Sequence, residues 1–234
     1  MDHIMEDTST DFRHEQKYYI SHAQATALTE RLIKVLEFDK NSMEDGKYLI
    51  SSVYFDTHYD RSLNAVTDGL LMRKKYRIRS YNHSDDFISL ERKSKRGQLC
   101  RKESLRIDRK TYDDIMYNGG KKLKELGEPL ADEFYNMLKF EGYVPKTIVE
   151  YTRRAFVSPI SNVRITLDSF IKGSSCGADM FYDCPTLVYT VPPCYVVLEV
   201  KYDHFLPDFI RNLLPDEVSM QTSISKYVYG RTFS

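Results

Sequence analysis

Residues 163–168 read VRITLD and residues 196–202 read VVLEVKY. In the first, Val163, Ile165 and Leu167 alternate with Arg164, Thr166 and Asp168; in the second, Val196, Leu198 and Val200 alternate with Val197, Glu199 and Lys201. Successive side chains on a strand point to opposite faces, so residues two apart share a face. The wholly apolar face is the one that packs on a core, and the charged face must line something else. The same period recurs in RHEQKYYI (13–20, with Glu15 and Lys17), KYRIR (75–79, with Lys75, Arg77 and Arg79) and LERKSK (90–95, with Glu91, Lys93 and Lys95). Paired into one sheet, these segments bring cations and a few carboxylates onto a common surface.

Such a surface is costly. Two like charges about 6 Å apart at an effective dielectric of about 20 repel by about 3 kcal/mol, and several such pairs approach the stability of a whole domain, about 5–15 kcal/mol. A solvated polar side explains any single alternating strand. Five cation-rich stripes together point instead to a polyanionic ligand. The strands recur at hairpin spacing, which predicts a closed sheet and removes exposed edges. The expected fold is therefore α+β: a mainly antiparallel closed β-barrel, or tunnel, with peripheral helices, formed by residues 12–234 as one domain.

Local signals fill in the helices. Ser21 and Gln24 form a capping-box pattern ahead of Leu28, Leu32, Val35 and Leu36, which predicts a helix running to about Asp39. Further helices are predicted over 111–118, 129–140, where Pro129 suits a first turn, and 207–214. The basic strands at 71–81 and 86–95 read as a hairpin joined by the polar loop 82–85.

The 234-residue chain has 34 Lys plus Arg and 34 Asp plus Glu, a formal net charge of zero. A basic site must then be a local segregation of charge, which argues against a general nucleic-acid coat. Cysteines 100, 176, 184 and 194 form no CxxC pair and read as reduced thiols. The opening MDHIMEDTSTDF lacks a basic and an apolar signal region, so a cytoplasmic location is expected, with residues 1–11 as a disordered tail. No apolar run approaches the roughly 20 residues that cross a bilayer.

Phosphate chains suit a cationic lumen, because Arg offers a planar fork to paired oxygens and Lys a compact point charge. Lys17, Arg77, Arg79, Lys93, Lys102, Arg153, Arg164 and Lys226 are the cations expected inside, enough for a triphosphate or something longer. Tyr151 shares a strand face with Arg153 and can offer its hydroxyl. Glu199 sits in an otherwise apolar strand, where an ionised group needs a metal or a cation; both readings stand. A hard divalent cation held by one or two carboxylates plus substrate phosphates is the usual Mg²⁺ arrangement, and Mn²⁺ accepts similar ligands. The sequence has no GxxxxGK[ST] loop, no kinase HRD or DFG set and no GxSxG elbow.

In chain order, RHEQKYYI, YFDT, KYRIRSY, SLERKSK, KES, YTRRAF, VRITLD, VLEVKYD and SISKYVYGR resemble the VTC domain. This is the polyphosphate-polymerase domain of vacuolar transporter chaperone complexes and their bacterial relatives, within the triphosphate tunnel metalloenzyme, or CYTH-like, superfamily. The resemblance implies that Arg77, Arg79, Lys93, Lys102, Arg153, Arg164 and Lys226 hold phosphate, with a contact from Tyr151. It places Lys17 near the reacting phosphate and makes Glu199 the ligand of Mn²⁺ or Mg²⁺, with Lys17, Arg77, Arg79 and Glu199 catalytic. A one-residue slip would exchange Lys102 for Arg101. Hydrolytic members begin with ExExK, where this chain has Arg13, Glu15 and Lys17; the lost acid favours transfer to a phosphate acceptor over transfer to water. The implied activity is polyphosphate synthesis from a nucleoside triphosphate, such as ATP, with polyphosphate or pyrophosphate as partner and no nucleic acid. Hydrolysis of polyphosphate or nucleoside triphosphate, or polyphosphate binding without catalysis, are the alternatives.

Overall fold

The period-two segments all form strands, and their pairings run in a ring. In the computed structural model, residues 13–40, 42–43, 45–97, 99–175, 179–181, 187–215 and 225–232 are described; the expected tail at 1–11, and Cys176 and Cys184, lie outside them. The strands are β1 (Arg13–Ser21), β2 (Glu37–Phe38), β3 (Lys47–Thr57), β4 (Met72–Tyr81), β5 (Ser84–Arg96), β6 (Leu99–Ile107), β7 (Tyr143–Ser158), β8 (Val163–Ser175), β9 (Val188–Tyr189) and β10 (Tyr195–Tyr202). The α-helices are α1 (His22–Leu32), α2 (Arg61–Thr67), α3 (Arg109–Tyr117), α4 (Pro129–Phe140), α5 (Asp208–Arg211) and α6 (Lys226–Thr232). Hydrogen bonds pass from β7 to β3, β4, β5, β6, β1, β10 and β8, and β8 pairs back onto β7. All of these pairings are antiparallel. The seam between β6 and β1 is the shortest of the ring, Arg13 with Cys100 and His14 with Leu99.

The apolar faces of the strands look outward, onto helices. Ile78, Leu90 and Phe55 pack with Tyr112 of α3 and Phe134 of α4. Val163, Ile165, Leu167, Val196, Leu198 and Val200 pack with Leu28 and Leu32 of α1 and Ile210 of α5. The hydrophobic core is thus a mantle around the ring, which leaves the charged parity to the lumen. A third cluster has inward parity: Tyr54, Tyr151 and Val197 meet Tyr227 of α6 and fill part of the interior.

Local prediction holds where local chemistry decides. The capping box at Ser21 and Gln24 is made in full, and α4 spans the expected residues. Helix α1 stops at Leu32 rather than near Asp39, and Val35 is exposed. The chain turns there because Glu37 and Phe38 pair with Val157 and Phe156, with the Phe38 and Phe156 rings 5.2 Å apart. The loop expected at 82–85 shortens to Asn82 and His83, both at positive φ (52° and 55°), the conformation of a tight two-residue hairpin turn.

SISKYVYGR supplies α6, which lies against β7 and β8. Its contact is backbone on backbone: a Cβ at Gly173 would stand 3.0 Å from Gly230 Cα and 2.9 Å from Thr190 Cγ2. The Tyr227 hydroxyl donates to Asp56 at 2.5 Å, and Arg231 pairs with Asp60 at 2.8 Å. These contacts fix the helix so that Lys226, at its start, reaches the lumen. Among the described residues no helix is long and apolar enough to cross a membrane. Gly173→Ala should therefore destabilise the fold by about 1–3 kcal/mol through overpacking, read by urea denaturation; an unchanged midpoint would show that α6 does not need this close approach.

Candidate functional site

Inside the ring, Glu15, Glu199, Glu91 and Asp168 act as nodes, each shared between cations from different elements. Lys17 on β1 lies between two of them, 3.2 Å from Glu15 and 3.3 Å from Glu199. Lys93 reaches Glu15 at 2.6 Å and Lys201 reaches Glu199 at 2.5 Å. Glu91 binds Arg77 at 2.5 Å, with Arg79 at 3.7 Å and Lys102 at 3.8 Å. Asp168 takes the Arg153 guanidinium through both oxygens, at 2.6 and 2.7 Å, and Lys226 at 2.6 Å. Arg164 pairs with Asp39 at 2.6 Å.

Tyrosines complete the arrangement. Arg77 donates to the Tyr54 hydroxyl at 3.0 Å, Arg79 to Tyr151 at 3.2 Å and Arg164 to Tyr48 at 3.3 Å. Lys226 also stands over the Tyr151 ring, 4.7 Å from its centre. The ten residues singled out from sequence thus reach the interior in three groups: Lys17, Lys93 and Glu199 about Glu15; Arg77, Arg79, Lys102, Tyr151, Arg153 and Lys226 about Glu91 and Asp168; and Arg164 with Asp39 and Tyr48. The register question between neighbours resolves toward Lys102, because Arg101 turns to Glu103 at 2.9 Å on the opposite face. Arg13, at the position of the missing acid, is paired with Asp203 at 2.7 Å.

The charge states follow from this packing. Burial works against ionisation of Glu15, Glu91 and Glu199, but the surrounding lysines and arginines overrule it and hold all three well below the usual carboxylate range. Asp168 behaves likewise, brought down to about 2 against its burial by Arg153 and Lys226. Burial would raise the Tyr151 hydroxyl, yet Arg153 and Arg79 keep it below its ordinary value. Lys75 is the counterexample. Burial, then Lys93 and Lys17, push its ammonium down to about 7; its polar contact is the Ser225 hydroxyl at 2.8 Å, and the Tyr227 ring lies 5.4 Å away.

Sequence reading gave Lys75, Lys201 and Glu15 no role, although all three lie in the charged stripes. Thr166 was passed over too, yet it faces Glu199 directly in the register of β8 and β10. Its buried Oγ1 has no hydrogen-bond partner among the described residues. The oxygens around Lys17 suit a hard divalent cation: two ionised carboxylates, Glu15 and Glu199, with the orphaned Thr166 hydroxyl beside them. No cluster of three or more His, Cys, Asp or Glu is present among the described residues, so a cation here would draw its remaining ligands from phosphate oxygens, the normal division of labour for Mg²⁺.

Solved structures align with this chain at low identity. A proposed adenylate cyclase from Bacillus halodurans aligns over 96% of this chain and 98% of its own, at 12% identity and a TM-score of 0.51. A second proposed adenylate cyclase, from Vibrio parahaemolyticus, aligns over 88% and 86% at 15% identity and a TM-score of 0.45. A Pyrococcus horikoshii protein aligns over 86% and 84% at 16% identity and a TM-score of 0.41. No curated protein matches the sequence. The VTC domain family matches residues 12–234, which takes in every strand of the ring and every residue of the interior network. The chain belongs to the VTC domain family, within the CYTH-like triphosphate tunnel superfamily.

Proposed function

We propose that this protein is a metal-dependent polyphosphate polymerase, moving the terminal phosphoryl group of a nucleoside triphosphate, ATP being the donor to try first, onto a growing phosphate chain. The observation that carries the reading is the interior network: cations from β1, β4, β5, β6, β7, β8 and α6 converge on one lumen with fewer carboxylates than they can saturate. Phosphoryl transfer through a loose transition state asks for positioning and charge neutralisation more than for a covalent nucleophile. Arg77, Arg79 and Arg153 present forks that suit paired phosphate oxygens, and Lys17, Lys93, Lys102 and Lys226 add point charges. In the reaction the bond from the γ-phosphorus to the β,γ-bridging oxygen breaks, a terminal oxygen of the acceptor chain bonds to that phosphorus, and the nucleoside diphosphate leaves. A divalent cation at Glu199 would offset charge on the transferred group.

Two features favour a phosphate acceptor over water. The acceptor oxygen is already ionised and needs no base, whereas attacking water does. Glu15 and Glu199 are weak bases here, since Lys17, Lys93 and Lys201 hold them ionised far below neutrality, and Arg13 stands where a further acid could have served. Hydrolysis and binding without turnover therefore rank behind synthesis.

Purified protein incubated with ATP and Mn²⁺ should give a ladder of polyphosphates on a polyacrylamide gel. ADP with orthophosphate and no ladder would reject polymerisation. Glu199→Gln should remove turnover while the protein still binds tripolyphosphate, read as a thermal shift; retained turnover would dismiss Glu199 as the metal ligand. Tripolyphosphate at about 100 times its Kd should stabilise the wild-type fold by about 2.7 kcal/mol.

A pH signature should accompany binding. Lys75 is faced by Lys17 of β1, Lys93 and Lys95 of β5, Arg73 of its own strand, and Ser225 and Tyr227 beside it. An unfolded lysine titrates near 10.4 and this one near 7, so at pH 8 it is mostly neutral. A polyanion favours its charged form, so binding at pH 8 should take up protons and the affinity should fall as pH rises above about 7. Titration calorimetry in buffers of different ionisation enthalpy measures the uptake, and Lys75→Met should reduce it. Equal uptake in the two proteins would place the phosphate away from Lys75.

A further inference from the structure

The hairpin β4–β5 carries its charge beyond the ion pairs of the interior. Its register sets Arg77 opposite Glu91, an attractive rung, but then Lys75 opposite Lys93 and Arg73 opposite Lys95. All six share the inward parity, so toward the β4 start the wall changes from paired charges to two successive like-charge rungs. Like charges directly opposite one another on a sheet are destabilising, and these are not fully in water: Arg73, Lys75, Lys93 and Lys95 are each half-buried. Lys93 has Glu15 for a partner, whereas no carboxylate of the described residues pairs with Arg73, Lys75 or Lys95. Burial lowers the Lys95 ammonium below its ordinary value, with Lys93 and Arg73 adding to the effect against the pull of Glu15. Beyond Arg73 the wall ends in the exposed Leu71 and Met72, so the outer rung stands at the rim.

We infer that the Arg73–Lys95 rung at the rim of β4 and β5 is an outer binding position for the phosphate chain, through which a polymer longer than a triphosphate leaves the lumen. The inference rests on the reading that the lumen holds linear phosphate. Same-face residues along a strand are about 6.7 Å apart, so each rung lengthens the cationic wall by more than one phosphate group. The paired rung Arg77–Glu91 lies deepest, Lys75–Lys93 follows, and Arg73–Lys95 is reached only by a chain that already fills the inner positions. A polyanion threaded along this wall relieves the repulsion in both like-charge rungs, and the outer rung carries the wall to the rim. A short ligand satisfied by the inner cations gains nothing from the outer rung.

The test compares two probes on the full chain: inorganic tripolyphosphate and a long linear polyphosphate, each titrated at fixed pH and ionic strength into wild type and into the double variant Arg73→Gln/Lys95→Gln. The long chain should lose affinity on the order of tenfold, or 1.4 kcal/mol, while tripolyphosphate binds as before. Parallel thermal melts should show the double variant folded and no less stable, since a repulsive rung is gone. Equal loss for both probes, or no loss for either, overturns the inference. The result is separable from the fate of polymerisation: a protein that makes no ladder from ATP yet discriminates the two probes through Arg73 and Lys95 keeps the outer position and loses only the synthetic activity, and a ladder without discrimination does the reverse.

Discussion

Concentrating positive charge inside a closed sheet is the constraint to which the rest of this structure answers. Cations brought inward from eight elements would repel one another beyond what a domain can bear, and the fold survives because carboxylates are interleaved among them. Glu15 and Glu199 bracket Lys17, Glu91 meets Arg77, and Asp168 meets Arg153 and Lys226. Such buried pairs are weak evidence of net stabilisation, since desolvation offsets much of the attraction, but removing one partner is typically costly, about 3–5 kcal/mol, because the other charge is left uncompensated. The network is therefore rigidly specified even where it contributes little to stability. The apolar faces of the same strands, turned outward onto α1, α3, α4 and α5, supply the hydrophobic burial that keeps the ring closed.

How much of this could be read from the chain depends on whether the deciding chemistry was local. Strand parity was enough to place Arg77, Arg79, Lys93, Arg153, Arg164 and Glu199 on one face, because a period of two leaves no freedom once the partner face is apolar. Helix α4 was legible from its proline and its apolar spacing. The end of α1 was not, because Phe38 leaves the helix to meet Phe156 more than a hundred residues later. The role of α6 was hidden for a similar reason: the absence of a side chain at Gly173 and Gly230 matters only once the two backbones are seen to touch. Lys75 shows the same limit within the site. Its stripe was evident, but its lack of a carboxylate opposite is a property of the β4–β5 register, where Lys93 falls against it and Glu91 one rung further in.

The tyrosines explain how the network can exchange partners without collapsing. In the proposed function, a phosphate entering the lumen would draw Arg77 and Arg79 from Glu91, and Arg164 from Asp39. Each of these guanidiniums is also held by a hydroxyl, from Tyr54, Tyr151 and Tyr48 in turn, so its direction is kept while its charge changes partner. Binding sites gain from such preorganisation because little side-chain freedom remains to be lost. Tyr151 has a second part in this, since its ring lies beneath Lys226 and its hydroxyl meets Arg79, tying α6 to β4 across the lumen.

Exchange also has a consequence for the carboxylates. Glu15 and Glu199 are neutralised by Lys17, Lys93 and Lys201; were those lysines to turn to phosphate, two ionised groups would be left without counter-charge beside the Thr166 hydroxyl, which has no hydrogen-bond partner among the described residues. In the proposed function a divalent cation arriving with the phosphate would answer that deficit, so anion and cation should enter as linked events, each raising the affinity for the other by the same factor. Lys75 stands outside this exchange. Among the described residues it has no carboxylate to surrender, so in the proposed function it would offer a phosphate oxygen a contact that breaks no ion pair, and the proton it took up would come from solvent rather than from the network.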